Sequence, residues 1–185
     1  MRRIYSLCAV LMCWAVPLAA TVILSAEFRE IVTGSQIIVH GRVIDVQSEW
    51  VEGQRRIDSL VTLQPSAFYR GTPTATVTFR VPGGQVGRYK SVTVGAPEFH
   101  AGDEAVLFLR GQGPAIPSVF GLNQGVFRVR VDARSGGRLV ILPALMAKGE
   151  TPERVVRGAR DRRPLPLDQF GAQVRAVLLQ QGGAQ

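Results

Sequence analysis

Two histidines, His40 and His100, and a pair of adjacent acids, Asp103 and Glu104, are the residues best suited to acid–base or metal chemistry. Histidine changes charge near neutral pH and is the commonest metal ligand. A zinc site takes three or four suitable ligands, and no spacing among His40, His100, Asp103 and Glu104 prearranges them. Folding alone would have to bring them together. The stretch His100-Ala101-Gly102-Asp103-Glu104 lacks the second histidine that a helical zinc site needs four positions on. Adjacent carboxylates in a turn read as solvated, not as an acid and a base with divided roles. Ser35, Ser48, Ser59, Ser66, Ser91, Ser118 and Ser135 have no G-x-S-x-G context to activate them. The sequence therefore assigns no catalytic residue, no metal ligand and no cofactor-binding residue, and no cofactor is expected.

Two further stretches invite chemical readings. Gly83-Gly84-Gln85-Val86-Gly87 has the glycines of a phosphate loop but not the Lys-Ser/Thr that follows in one, and it precedes a strand pattern. A turn with positive φ explains it better. Phe68, Tyr69, Arg70, Phe79, Arg80, Arg88, Tyr89 and Lys90 interleave aromatic and basic residues, as faces that bind polyanions do. Phe79 shares its parity with Val77 and Val81 and so belongs to a core, whereas Tyr89, between Arg88 and Lys90, is expected on the surface.

The elements that would position these residues are mostly strands. Ile37 to Val46 is rich in β-branched residues, and Gly41 within it marks a bulge or bend. Arg56 to Tyr69 alternates through Ile57, Val61 and Leu63 until Pro65, which cannot donate to a ladder and must lie at a bulge or an edge. Ala75 to Val81 alternates cleanly, as a half-buried antiparallel strand does. Val92 to Val94 reads as another strand. Ala105 to Leu109 is continuously apolar and should be covered on both faces. Val126 to Val131 alternates again, and Leu139 to Leu142 is a weaker strand. Ahead of them, Ser25 suits a helix N-cap, Glu27 and Glu30 suit the first turns, and Gly34 suits the stop. Lys148 to Pro166 is charged and without period. Leu167, Phe170, Val174, Val177 and Leu178 then recur at helical spacing, which predicts a C-terminal amphipathic helix ended by Gly182-Gly183. Only Arg175 lends its polar face positive charge, so it should pack on the strands and not on a membrane.

The ends of the chain set the compartment. Arg2 and Arg3, an uncharged run from Ile4 to Ala20 and the small residues Ala19 and Ala20 form a secretory signal with a cut expected before Thr21. Both cysteines, Cys8 and Cys13, lie in that segment, so the mature chain has no disulfide and must rely on its core. About 165 residues remain, enough to bury roughly 70% of the unfolded surface. The net charge of +8 becomes +6 without Arg2 and Arg3. Much of the excess sits in Arg154, Arg157, Arg160, Arg162 and Arg163, and export argues against nucleic acid as a partner.

The organisation is thus residues 1–20 signal peptide, 21–145 β domain, 146–166 charged linker and 167–181 helix. Short strands separated by glycine and proline turns predict a mainly β fold, a small OB-like antiparallel barrel with a short N-terminal and a C-terminal helix, because closure removes exposed strand edges. The pieces EFREIVTGSQIIVHGRVIDVQSEW, FYRG, VPGGQVG, GAPEFHAGDEAVLFL and GLNQGVFRV resemble the successive motifs of a family of exported bacterial proteins, over about residues 21–131. More remotely, this order is similar to the netrin-like domain, the OB-type barrel of tissue inhibitors of metalloproteinases. That resemblance implies an OB-like barrel and no established activity. Netrin-like inhibitors chelate zinc through an N-terminal cysteine, which is missing here, so no inhibitory residue carries over. The expected function is an exported, non-catalytic interaction module, periplasmic or secreted, with an envelope or extracellular protein or a polyanionic surface as partner and no transmembrane anchor in the mature chain. The alternatives are a metalloprotease-associated module or inhibitor, and a small envelope hydrolase using His40 or His100.

Overall fold

A computed structural model describes residues 26–111, 115–143 and 164–182. The signal segment, the Ser25 cap, and the charged stretch up to residue 163 lie outside the described residues. Among those described, the chain is mainly β. Helix α1 (Phe28–Thr33) is followed by the long strands β1 (Ile37–Val51) and β2 (Arg56–Arg70), then β3 (Val77–Pro82). A small hairpin, β4 (Gly84–Val86) and β5 (Tyr89–Ser91), precedes β6 (Glu104–Arg110), β7 (Ser118–Val119), β8 (Val126–Val131) and β9 (Arg138–Ile141). Strand β10 (Leu165–Pro166) leads directly into helix α2 (Leu167–Gly182).

One sheet holds eight of the strands, in the order β1-β2-β3-β7-β6-β8-β9-β10, and β1 also pairs with β6. All neighbours are antiparallel except β3 and β7, which run parallel and meet through one residue pair, Arg80 with Ser118. Strands β7 and β8 lie along the same edge of β6, and the loop between them straddles Phe108: Phe120 N–H donates to Phe108 O, and Phe108 N–H to Gly125 O. The sheet does not close into a clear barrel, because the junction of β3 with β7 is this narrow.

Alternation of side chains across the sheet produces two cores. In β6, Ala105, Leu107 and Leu109 enter one cluster, and Val106 and Phe108 enter the other. The continuously apolar run is therefore covered on both faces, as its composition predicts. The first cluster gathers Val39, Val43, Val61, Leu63, Val77, Phe79 and Val81 from β1, β2 and β3. The second lies between the sheet and both helices. There Phe28 of α1, Phe108 and Phe127 of the sheet and Phe170 of α2 interlock, with Phe127 centred 5.0 Å from both Phe108 and Phe170. Such contacts add about 0.5–1.5 kcal/mol per pair to simple burial. Val174, one turn after Phe170, is fully buried with it, so α2 packs on the sheet through the face its periodicity marks.

Gly41 behaves as expected. The β1–β2 ladder shifts register between His40 and Gly41, opposite Pro65, and a Cβ at Gly41 would sit 2.3 Å from the Gln64 carbonyl oxygen. Pro65 also lies beyond the last residue of β2 paired with β3, Leu63, so its missing donor faces no ladder there. Several expectations need correction. Helix α1 is capped by Glu27, without a side-chain cap bond. Its C-terminal carbonyls are bonded instead by the Arg70 guanidinium, which reaches Val32, Thr33 and Ser35 at 2.9–3.3 Å. Val92–Val94 is not a strand. Val92 and Val94 are 71% and 88% exposed, and no neighbouring strand offers them a ladder. Ala75 falls outside β3, which begins at Val77. Leu165 and Pro166, read as the end of a linker, pair with Val140 and Leu139.

Candidate functional site

The polar residues of β1 and β6 meet where the second core ends. His40 and Arg42 alternate on β1 with Val39, Gly41 and Val43, and the register sets His40 opposite Val106 and Arg42 opposite Glu104. Their side chains converge on Glu104. His40 Nε2 lies 2.9 Å from Glu104 Oε1, Arg42 donates to Oε2 at 3.0 Å, and Arg138 of β9 reaches Oε1 through Nε at 3.2 Å. Arg42 also donates to the Gly102 carbonyl at 3.1 Å. Glu104 and His40 are almost fully buried, with 10% and 5% of their side chains exposed. The outer halves of both arginines stay in solvent. A carboxylate only accepts, so the His40 proton sits on Nε2 in the neutral ring.

His40 and Arg138 of this cluster line an open cleft of about 610 Å³ between the sheet and the start of α2. Ser66, Ala67 and Tyr69 of β2 form one wall, Arg138 and Leu139 another, and Pro166, Leu167, Asp168, Gly171 and Arg175 the third. The Arg175 guanidinium lies over the Tyr69 ring, 5.8 Å from its centroid. Burial pushes the Tyr69 hydroxyl above its ordinary pKa, and Arg175 offsets only part of that. The hydroxyl is therefore a proton donor at neutral pH. Gly171 lets α2 approach this ring closely, since a Cβ there would come within 2.8 Å of the hydroxyl oxygen.

The other sequence candidates are elsewhere. His100 is exposed, and its backbone N–H donates to Asp103 Oδ2 at 3.0 Å. Asp103 also receives Arg128 at 2.8 Å. Burial alone would raise the Asp103 pKa, but the His100 N–H and the Arg128 guanidinium outweigh it and hold the carboxyl below its usual range. His40 and His100 thus line different concavities, and among the described residues no three His, Cys, Asp or Glu side chains are grouped to hold a metal ion.

The second concavity, about 280 Å³, opens beneath the β4–β5 hairpin. Val46, Val61, Val81 and Phe99 floor it, and Lys90, Thr93, Glu98 and His100 rim it. Ser59 Oγ donates to the Gly83 carbonyl at 2.8 Å, and Ser48 Oγ accepts the Gln85 N–H at 3.2 Å, which ties the hairpin to β1 and β2. Gly83, Gly84 and Gly87 all have positive φ, so the glycine run is a hairpin and not a phosphate loop. Trp50 meets the Tyr89 ring edge-on at 5.6 Å.

The proposed polyanion face does not assemble as one surface. Phe79 is fully buried, Arg70 is committed to the end of α1, and Arg80 pairs with Glu49 and Asp58. Arg88, Tyr89 and Lys90 remain exposed, with Tyr89 as the surface aromatic expected. Sequence reasoning missed two participants. Asp58, 1% exposed, is held by Arg56 and Arg80, and its parity signal is broken because Ile57 beside it is buried too. Arg138 lies in the weak β9 pattern, and nothing local links it to Glu104.

Comparison of the chain with protein-family models, curated proteins and solved structures finds no match. Among the described residues, no helix is long and apolar enough to cross a membrane, and no cysteine is present.

Proposed function

We propose that this protein is an exported, non-catalytic binding module built on an OB-like barrel. The strand order supports the barrel: β1-β2-β3-β7-β6 returns to β1 through the β1–β6 ladder, and β3 runs parallel to β7. The first core supports it too, since residues of β1, β2, β3, β6, β7 and β8 all contribute to one cluster. Export rests on the Arg2-Arg3 and Ile4–Ala20 pattern.

One observation carries the choice of binding over catalysis. The acids that might act as base or nucleophile are tied up: Glu104 by the His40 hydrogen bond and by Arg42 and Arg138, Asp103 by Arg128, and Asp58 by Arg56 and Arg80. A carboxylate held by one or two guanidinium groups is a poor general base. The two concavities meanwhile remain open, one with an apolar floor and polar rim, as binding sites have. The partner expected is an envelope or extracellular component.

Cross-linking the tagged mature chain in its native envelope, followed by identification of what is captured, tests this reading. A reproducible partner that the purified chain binds without altering it chemically is the expected result. Chemical turnover of the captured component by the purified chain would overturn it.

A further inference from the structure

The His40 cleft holds a polar group that the fold leaves unused. His40 Nε2 is engaged by Glu104, and among the described residues the ring makes no other hydrogen bond. No buried side-chain nitrogen lacks a partner, so the second ring nitrogen, Nδ1, must reach accessible space. His40 lines the cleft, and that space is the cleft. The His40 side chain is 5% exposed, and the Glu104 carboxylate holds its ring. That arrangement fixes ring orientation and, with the proton on Nε2, presents Nδ1 as an acceptor for a donor on a bound group.

The surroundings define the chemistry of that group. Arg138 uses only Nε on Glu104, leaving its terminal nitrogens unengaged, and Arg175 makes only its contact with the Tyr69 ring. With the Tyr69 and Ser66 hydroxyls, these are donors without acceptors. The acid on the cleft wall, Asp168, is exposed at the helix start, while Glu104 is already neutralised. The other walls are apolar: Ala67, Leu139, Pro166 and Leu167. Guanidinium groups bind carboxylate and phosphate through charge-assisted, often bidentate, bonds.

We propose that this cleft binds an organic acid, a phosphate or carboxylate carried on a short apolar body. The acid group sits against Arg138, Arg175 and the Tyr69 hydroxyl. Where it carries a proton, as a phosphate monoester does, that O–H donates to the His40 Nδ1 lone pair. The body lies on Leu139 and Leu167. The inference rests on the binding-module reading only in treating the cleft as a site of binding and not of reaction. Such an acid arises free in solution or as the end of an anionic lipid.

Titrating the mature protein with hexyl phosphate, hexanol and inorganic phosphate at low salt tests the proposal by NMR. Hexyl phosphate should bind saturably and shift the His40 ring resonances. Hexanol and inorganic phosphate should each bind at least about tenfold more weakly, as each lacks one half of the recognition. Arg138→Ala and Arg175→Ala, both exposed and expected to fold, should each weaken hexyl phosphate about tenfold. Binding that is equal for hexanol, indifferent to both substitutions, or silent at His40 overturns the site. Once hexyl phosphate binds, co-sedimentation with phosphatidic acid vesicles assigns the source to lipid, and its absence assigns it to a soluble acid; the site stands in either case. Loss of hexyl phosphate binding with an envelope partner still captured defeats this site alone and leaves the module reading intact.

Discussion

Replacing Glu104 by Gln removes the charge on which His40, Arg42 and Arg138 converge while keeping the shape of the side chain. The three arms differ in worth. Arg42 and Arg138 are more than half exposed, so solvent screens them and each contributes at most about 0.5–1 kcal/mol. The His40 arm is buried, and a hydrogen bond to a charged group there is worth about 1.5–3 kcal/mol. Together they give a loss of about 2–4 kcal/mol, toward the lower side of what breaking a buried pair costs because two arms are wet. For a chain of this size, that is a fall in Tm of roughly 6–12 °C. Urea unfolding of wild type and Glu104→Gln, followed by circular dichroism, measures it directly. Double-mutant cycles with His40→Gln and Arg42→Ala should place most of the coupling on His40. A loss below about 0.5 kcal/mol, typical of an ordinary surface substitution, would refute the buried cluster.

Three other outcomes follow from the same geometry. Phe127→Ala should cost about 3–5 kcal/mol by emptying the centre of the aromatic cluster between the sheet and both helices, and it should also lower the helical signal if α2 depends on that packing. Gly41→Val should destabilise more than the same change at Gly182, where nothing lies within 4 Å of a Cβ and φ is not positive, and paired unfolding curves decide it. The Asp103 carboxyl is held below its ordinary range in the fold, so its stabilising contribution is complete above the unfolded pKa of about 3.9. That contribution is lost as pH falls through the lower folded value. The stability difference between wild type and Asp103→Asn should therefore be flat from pH 5 to 8 and shrink below about pH 4, and a difference that grows on acidification would contradict it.

The fold was legible where the signal is local. The parity of Val77, Phe79 and Val81 placed the core face of β3, the unbroken run Ala105–Leu109 placed β6 between two apolar layers, and Phe170 and Val174 placed the packing face of α2. Gly41 and Pro65 announced the same irregularity from two strands. What escaped depends on contacts far apart in sequence. His40 and Glu104 are 64 residues apart and meet only through the β1–β6 register. Arg138 joins them from β9, a strand weakly marked because two of its four residues are only partly buried. Strand β7, two residues long, has no period to read. Val92–Val94 has strand composition without a neighbour to pair with, and composition cannot report a missing partner. The cleft itself arises because Pro166 and Leu167 return to the sheet beside β9, which the charged sequence before them conceals.

The barrel proposed for this chain depends on β3 and β7 being joined. Amide exchange and inter-strand NOEs at Arg80, whose N–H donates to the Pro117 carbonyl at 2.8 Å, report that junction most directly. A slowly exchanging Arg80 amide, with NOEs to Pro117 and Ser118, is the predicted result. A freely exchanging amide with no such NOEs, in a chain otherwise folded, would show an open sheet and contradict the proposed barrel.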